Sequence, residues 1–150
     1  MKFNLILVAL TSLGISANAV VMEVTGKDGK NLLHLELVQP LPSTVGKVSI
    51  AVFTQTKLPF QGSEGGISEL AGLGQENEII SKSEMKAWGW CFALDGVVPD
   101  TLTNQTPVIK QTSKIEWFYA YAHYKDGDWI EQCARPKPQS GIAALKSGSN

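Results

Sequence analysis

At 150 residues, 43% of them hydrophobic and 18% charged, the chain is long and apolar enough for one domain with a core, and disorder is excluded as the default. A formal net charge of −1, with 13 Lys and Arg scattered along the chain, excludes the basic stripe that a nucleic-acid backbone requires.

The first residues, MKFNLILVALTSLGISANA, carry Lys2, an apolar run from Phe3 to Leu10 and the small-residue pattern Ala17-Asn18-Ala19. That is how a cleavable export signal is built. A membrane span needs about 20 apolar residues, whereas this run breaks at Thr11-Ser12. The expectation is a signal peptide over 1–19, a secreted or periplasmic mature chain from Val20, and no stable membrane insertion. Cys91 and Cys133 are the only cysteines. An even pair in an exported chain reads as one disulfide, since two thiols alone make a poor zinc site. Closing a loop of roughly 40 residues stabilises a fold by about 3–4 kcal/mol on the chain-entropy model.

From Val20 the chain gives two short apolar segments around Gly26-Lys27-Asp28-Gly29, with Leu33, Leu35 and Leu37 alternating against His34 and Glu36. That predicts a β-hairpin. Pro40 and Pro42 end the second strand, after which Ser43 or Thr44 can cap a helix reaching about Thr56, with Val45, Val48 and Val52 on one face. The same stretch also alternates at Val48, Ile50 and Val52, and Gly46 weakens a helix. Residues 57–66 read as a loop by composition, Ile67–Leu73 as a short semi-apolar segment, and QENEIISKSEMK as a polar connector facing water. Strands are predicted over Ala87–Leu94, Ile115–Tyr124 and Trp129–Cys133, the last two joined as a hairpin at Asp126-Gly127. A long irregular crossing separates the first two. The stretch 135–150, rich in Pro, Gly, Ser and Lys, is expected to be a flexible tail, leaving one domain over 20–134.

Three segments, GGISELAGLG, GWCFALDGVVPD and VIKQTSKIEWFYA, resemble in order and spacing the transcobalamin-like C-terminal domain family. The resemblance implies an α+β, β-grasp-like fold: a mixed sheet with one helix, to which the hairpin over 122–133 would add a C-terminal extension. It tips the reading of residues 43–56 to helix. It also implies a stand-alone secreted module that binds a soluble ligand, with cobalamin or another corrinoid as a candidate and a carrier or transporter as a candidate partner. Its motifs put ligand contacts at Leu70, Gly72, Leu73 and Gly74 and at Trp88, Trp90 and Phe92.

A two-residue turn at Asp126-Gly127 sets Cys133 opposite Ala120, so Phe118, Ala120 and Ala122 share one face and Trp117, Tyr119 and Tyr121 the other. A bond to Cys133 puts Cys91 on the Ala120 face. Trp88, Trp90 and Phe92 then join the Trp117–Tyr121 face. A helix can approach the small-residue side closely, which would leave the aromatic side partly open. Trp117 and Tyr119 join the candidate ligand residues on the view that this side is a stacking platform; the other reading is that it is core. Gly72 and Gly74 either let backbone touch a ligand or supply positive φ in turns.

Asp95-Gly96 and Asp126-Gly127-Asp128 lack the spaced oxygen ligands of a calcium loop and are taken as turns, so no metal site is expected and no cofactor is required. His34 and His123 have neither a nucleophile elbow nor an acid pair beside them in sequence. Asn104-Gln105-Thr106 is a glycosylation sequon whose following Pro107 disfavours its use, or simply a polar loop. The favoured reading is a non-enzymatic small-ligand-binding module, the alternatives being an extracellular protein–protein interaction module and, last, a hydrolase.

Overall fold

The computed structural model describes residues 19–136. The expected signal peptide, apart from Ala19, and the expected tail, apart from Arg135 and Pro136, lie outside the described residues. The elements in chain order are β1 (Val20–Thr25), β2 (Asn31–Leu37), β3 (Ser43–Thr44), α1 (Val45–Thr56), β4 (Phe60–Ser63), β5 (Gly66–Leu70), β6 (Glu76–Ser81), β7 (Glu84–Leu94), β8 (Pro107–Val108), β9 (Lys114–Lys125) and β10 (Asp128–Ala134). The main sheet runs β2-β1-β9-β7-β6, with β10 also paired to β9. β1 lies parallel to β9 and the other neighbours are antiparallel, so the sheet is mixed. β1 pairs with the first half of β9 and β10 with its second half, both on the edge away from β7. A mixed sheet with one helix and a C-terminal hairpin is what the sequence led us to expect.

The leading hairpin follows its alternation. Met22 and Val24 face inward, opposite Leu35 and Leu33, while Glu23 pairs outward with His34. α1 starts where the side chain of Thr44, in extended conformation, accepts the Lys47 N–H at 3.3 Å, and it ends at Lys57 in the left-handed region. Its buried face carries Val45, Val48, Val52 and Phe53. With β1, Leu70, Ile115 and Trp117 these form the main core.

The helix packs on the aromatic side of the sheet, which corrects the expectation that it would approach the small-residue side. Phe53 meets Trp117 edge-on at 6.1 Å, and the Trp117 Nε1–H donates to Ser49 Oγ at 2.8 Å. The physical reason is area: Trp117 and Phe92 have large apolar surface to bury against the helix, whereas a row of alanines has little. Ser49, polar and fully buried in the middle of α1, is satisfied by that indole.

Gly46, which weakens the helix by propensity, is demanded by packing. A β-carbon there would lie far inside van der Waals contact distance of the Glu64 carbonyl oxygen, in the loop between β4 and β5. That carbonyl accepts from Thr103 Oγ1, and the Gly46 N–H donates to the Thr103 carbonyl at 2.9 Å. One glycine therefore lets helix, hairpin and the β7–β8 crossing meet at a point.

Two segments are more ordered than their composition suggested. Residues 60–70, read partly as loop, form the β4–β5 hairpin. The water-facing connector contains β6, an edge strand exposed at all six residues, and β7 begins three residues before the expected Ala87. A strand exposed on both faces has no apolar face and so no period-two signal.

Candidate functional site

β7 and β9 are aligned over eleven pairs, from Glu84↔Lys125 to Leu94↔Ile115. Partners across this ladder share a face. Trp88 with Tyr121, Trp90 with Tyr119 and Phe92 with Trp117 therefore make one aromatic face, and Ala87 with Ala122, Gly89 with Ala120 and Cys91 with Phe118 make the other. The division is the one expected from the sequence.

The aromatic face is occupied by the protein's own chain. Past the part under α1, the turn after β5 crosses it: Trp90 Nε1–H donates to the Leu73 carbonyl at 2.7 Å, and Tyr119 Oη–H donates to the Gly74 carbonyl at 2.7 Å. Lys27, from the β1–β2 turn, lies over the Trp88 ring at 4.7 Å and is paired to Glu76 at 2.8 Å. The hydrogen bond to Glu76 raises the Lys27 pKa above its ordinary value. Trp88 also donates to Glu78 Oε2 at 3.0 Å and stacks on Tyr119. Tyr119 is 2% exposed, and its burial pushes the phenol pKa upward.

The residues assigned to ligand contact thus occupy different places. Leu70 and Trp117 are core, and Phe92 packs on that core. Leu73 and Gly74 present their carbonyls to Trp90 and Tyr119, and Gly72, with φ +78, sits on the exposed tip of the turn. Trp88 and Trp90 are half-buried, bonded to Glu78 and Leu73.

The opening is on the other face. A cleft of about 660 Å³ has Ala87, Gly89, Ala120 and Ala122 as its floor. Gln75 and Asn77, from β6 and the residue before it, stand along one side, and Trp129, Gln132 and Cys133 of β10 along the other. Sequence reasoning passed over Trp129, Gln75, Asn77 and Gln132; the available signal was a Trp beside a turn, placed by register with Ala122 rather than with the other tryptophans.

The disulfide explains why this cleft exists. Cys91 and Cys133 are bonded, with Cα atoms 5.8 Å apart, although β7 and β10 flank β9 on opposite edges. In a flat sheet, residues two strands apart lie about 10 Å apart. β10 therefore leaves the sheet plane and folds over the small-residue face. It does so through two register shifts, between Trp129 and Glu131 and between Glu131 and Ala134, with Cys133 at φ +51. These shifts correct the simple hairpin register, in which Cys133 would face Ala120: the described pairing reaches Ala134↔Tyr121. Two one-residue shifts preserve face parity, so the face assignment survives. Ala93, Phe118 and Ala120 with the disulfide form a second, smaller core. Arg135 closes it by lying 3.8 Å over the Phe118 ring and pairing with Glu116 at 3.7 Å.

The described Lys, Arg, His, Asp and Glu side chains lie outside the cleft lining, which contains one titratable group, Tyr121, whose phenol pKa burial pushes upward. Lys114 bridges Glu23 at 2.8 Å and Glu116 at 3.4 Å, and its hydrogen bond holds the Glu23 carboxyl below its ordinary pKa against the opposing effect of burial. His34 contacts Glu23 at 3.2 Å, and His123 contacts Glu84 at 2.8 Å. Among the described residues no cluster of His, Cys, Asp and Glu is placed to hold a metal ion, and no helix is long and apolar enough to cross a membrane.

No protein-family model matches the chain, and no curated protein matches it. Among solved structures it is similar to a chain from Ruminococcus gnavus named "putative metal binding protein", at 18% identity and a TM-score of 0.46, over 67% of this chain and 94% of that one.

Proposed function

We propose that this chain is an exported, non-enzymatic module that holds a small ligand in the cleft over its small-residue face. The observation that carries the reading is the cleft itself: about 660 Å³, floored by Ala and Gly and flanked by a half-exposed Trp129, inside the ~300–1,000 Å³ range of small-molecule sites. Export is supported by the disulfide, a bond that persists in oxidising compartments. Among the described residues the cleft is lined by small side chains, carboxamides and aromatic residues rather than by Asp, Glu, His or Lys, a lining that suits binding. A β-grasp-like, transcobalamin-like assignment is supported by the hairpin-helix order and by the parallel pairing of β1 with β9. The corrinoid that the same resemblance suggests lacks such support, because the residues carrying it, apart from the exposed Gly72, are buried, packed on the core or bonded to the chain itself.

The test is a fragment screen read by two-dimensional amide NMR, with cobalamin and cobinamide included. Hits should move amides of 87–89, 120–122 and 129–133, and Ala122→Trp, which fills the floor, should abolish the shifts. Perturbations confined to 70–74 and to the Trp88–Phe92 indole and ring signals would restore the aromatic-face reading. A second reading, a protein-interaction module, is favoured by β6: it is an edge strand with Ile79 69% exposed, open to pairing with a partner's strand. Charge placed on this edge, as Ile79→Lys, should disrupt such a partner and leave cleft binding intact.

A further inference from the structure

We infer that the cleft ligand is an uncharged carbohydrate whose ring lies on Trp129; the inference rests on the proposed function and names its ligand class. Three features converge. Among the described residues no Lys, Arg, His, Asp or Glu lines the cleft, so these residues offer a charged ligand no counter-charge. Three side-chain carboxamides, those of Gln75, Asn77 and Gln132, line it instead. Each offers both a donor pair and an acceptor, the match for hydroxyl groups that do both. No hydrogen bond within the described residues occupies these three, so each is free to meet a ligand, as Gln61 meets Glu69 and Gln111 the Gln39 carbonyl elsewhere in the chain.

Trp129 supplies the third feature. It is 50% exposed, and Tyr124 meets it edge-on at 5.4 Å, steadying the indole while leaving ring surface open. Trp88, Trp90 and Tyr121 also border the cleft, but the ladder puts their side chains on the other face of the sheet, and the side opposite Trp129 is formed by Gln75 and Asn77, so one aromatic ring faces the ligand rather than a sandwich. That suits a saturated ring with one apolar C–H side and a polar rim. The shallow Ala and Gly floor leaves room along the sheet for more than one such ring.

A peptide is the competing occupant, and the backbone argues against it. β7 and β9 are paired to each other throughout the floor, and the second half of β9 is paired to β10 on its other edge, so an extended peptide lying on the floor would find no free ladder groups beneath it.

The experiment titrates the disulfide-bonded protein with cellotriose, N,N′-diacetylchitobiose and maltotriose as neutral probes, digalacturonate as a charged probe, indole as an apolar one, and a hydrophobic tripeptide. The expected result is saturable binding of at least one neutral saccharide, with Kd of about 0.1–1 mM for so open a site, shifting the Trp129 indole and the three carboxamide signals. Trp129→Ala should abolish it. Gln75→Ala, on an element independent of β10, should weaken it about 2- to 12-fold, as expected for one lost hydrogen bond. Cleft shifts from indole, digalacturonate or the peptide, with none from neutral saccharides at about 20 mM, would overturn the ligand class and leave the cleft reading standing. Silence of the cleft toward every probe would overturn both.

Discussion

Replacing both cysteines, as Cys91→Ala with Cys133→Ser, tests the claim that the disulfide builds the cleft. The bonded residues are 42 positions apart, and the chain-entropy relation assigns closure of a loop of that size about 4 kcal/mol at 25 °C. For a domain of this size, where 1 kcal/mol moves the unfolding midpoint by about 4 °C, that is at most about 16 °C. The full effect requires β10 to stay folded over the sheet without the bond. Five of its seven residues are exposed, and it pairs only with β9, through a ladder interrupted twice. Local fraying will therefore return part of the entropy, and the expected fall is about 8–16 °C. Hydrogen exchange should then show protection lost first over 128–134, while β7 and the α1 face hold theirs. A fall below about 3 °C with unchanged protection at 131–134 would refute the reasoning, because some other contact would then be holding β10 in place.

Gly46→Ala should destabilise the protein by about 3 kcal/mol, through the collision with the Glu64 carbonyl and loss of the Thr103 bonds, where helix propensity alone predicts a gain of about 1 kcal/mol; chemical denaturation decides the sign. Trp117→Phe and Ser49→Ala should each cost stability, and the pair together less than their sum by about 1 kcal/mol, since each single change strands the other's polar group in the core; additive losses in the double-mutant cycle would show that their bond contributes nothing. The depressed pKa of Glu23 means its contribution is present above the unfolded carboxyl value and is lost as pH falls through the lower folded one. Below about pH 4 the wild type should therefore lose stability more steeply than Glu23→Gln, as followed by thermal melts across the acid range; equal slopes would rule out that contribution.

The parts of the fold that could be read from the sequence are those where pattern and environment agree. Leu33, Leu35 and Leu37 alternate because one side of β2 packs on the core, and Thr44 caps a helix because its hydroxyl is free to do so. The two faces of β7 and β9 followed from the assumed Cys91–Cys133 bond. What failed was the step from a face to its covering. Nothing local says whether alanines mark a tight helix contact or space for a strand folding back, because both demand small side chains. The cleft residues were hidden for a related reason: Gln75 and Asn77 belong to an exposed edge region without periodicity, and Trp129, which the regular part of the hairpin register puts on the Ala122 side, overlooks a cleft only because β10 beyond it folds over that side.

The bond across β9 also sets how the domain would carry a mechanical load. Tension applied to the chain beyond Ala134 would, without it, peel β10 from β9 one hydrogen bond at a time, the weak unzipping direction of a hairpin. With Cys133 tied to Cys91, the force passes over β9 into the middle of β7, whose eleven aligned pairs with β9 form the longest ladder in the sheet. A protease that nicked the Asp126-Gly127 turn would likewise leave β10 attached. Whatever continues from the C-terminal end of this domain is thus tethered to the centre of the sheet rather than to its edge.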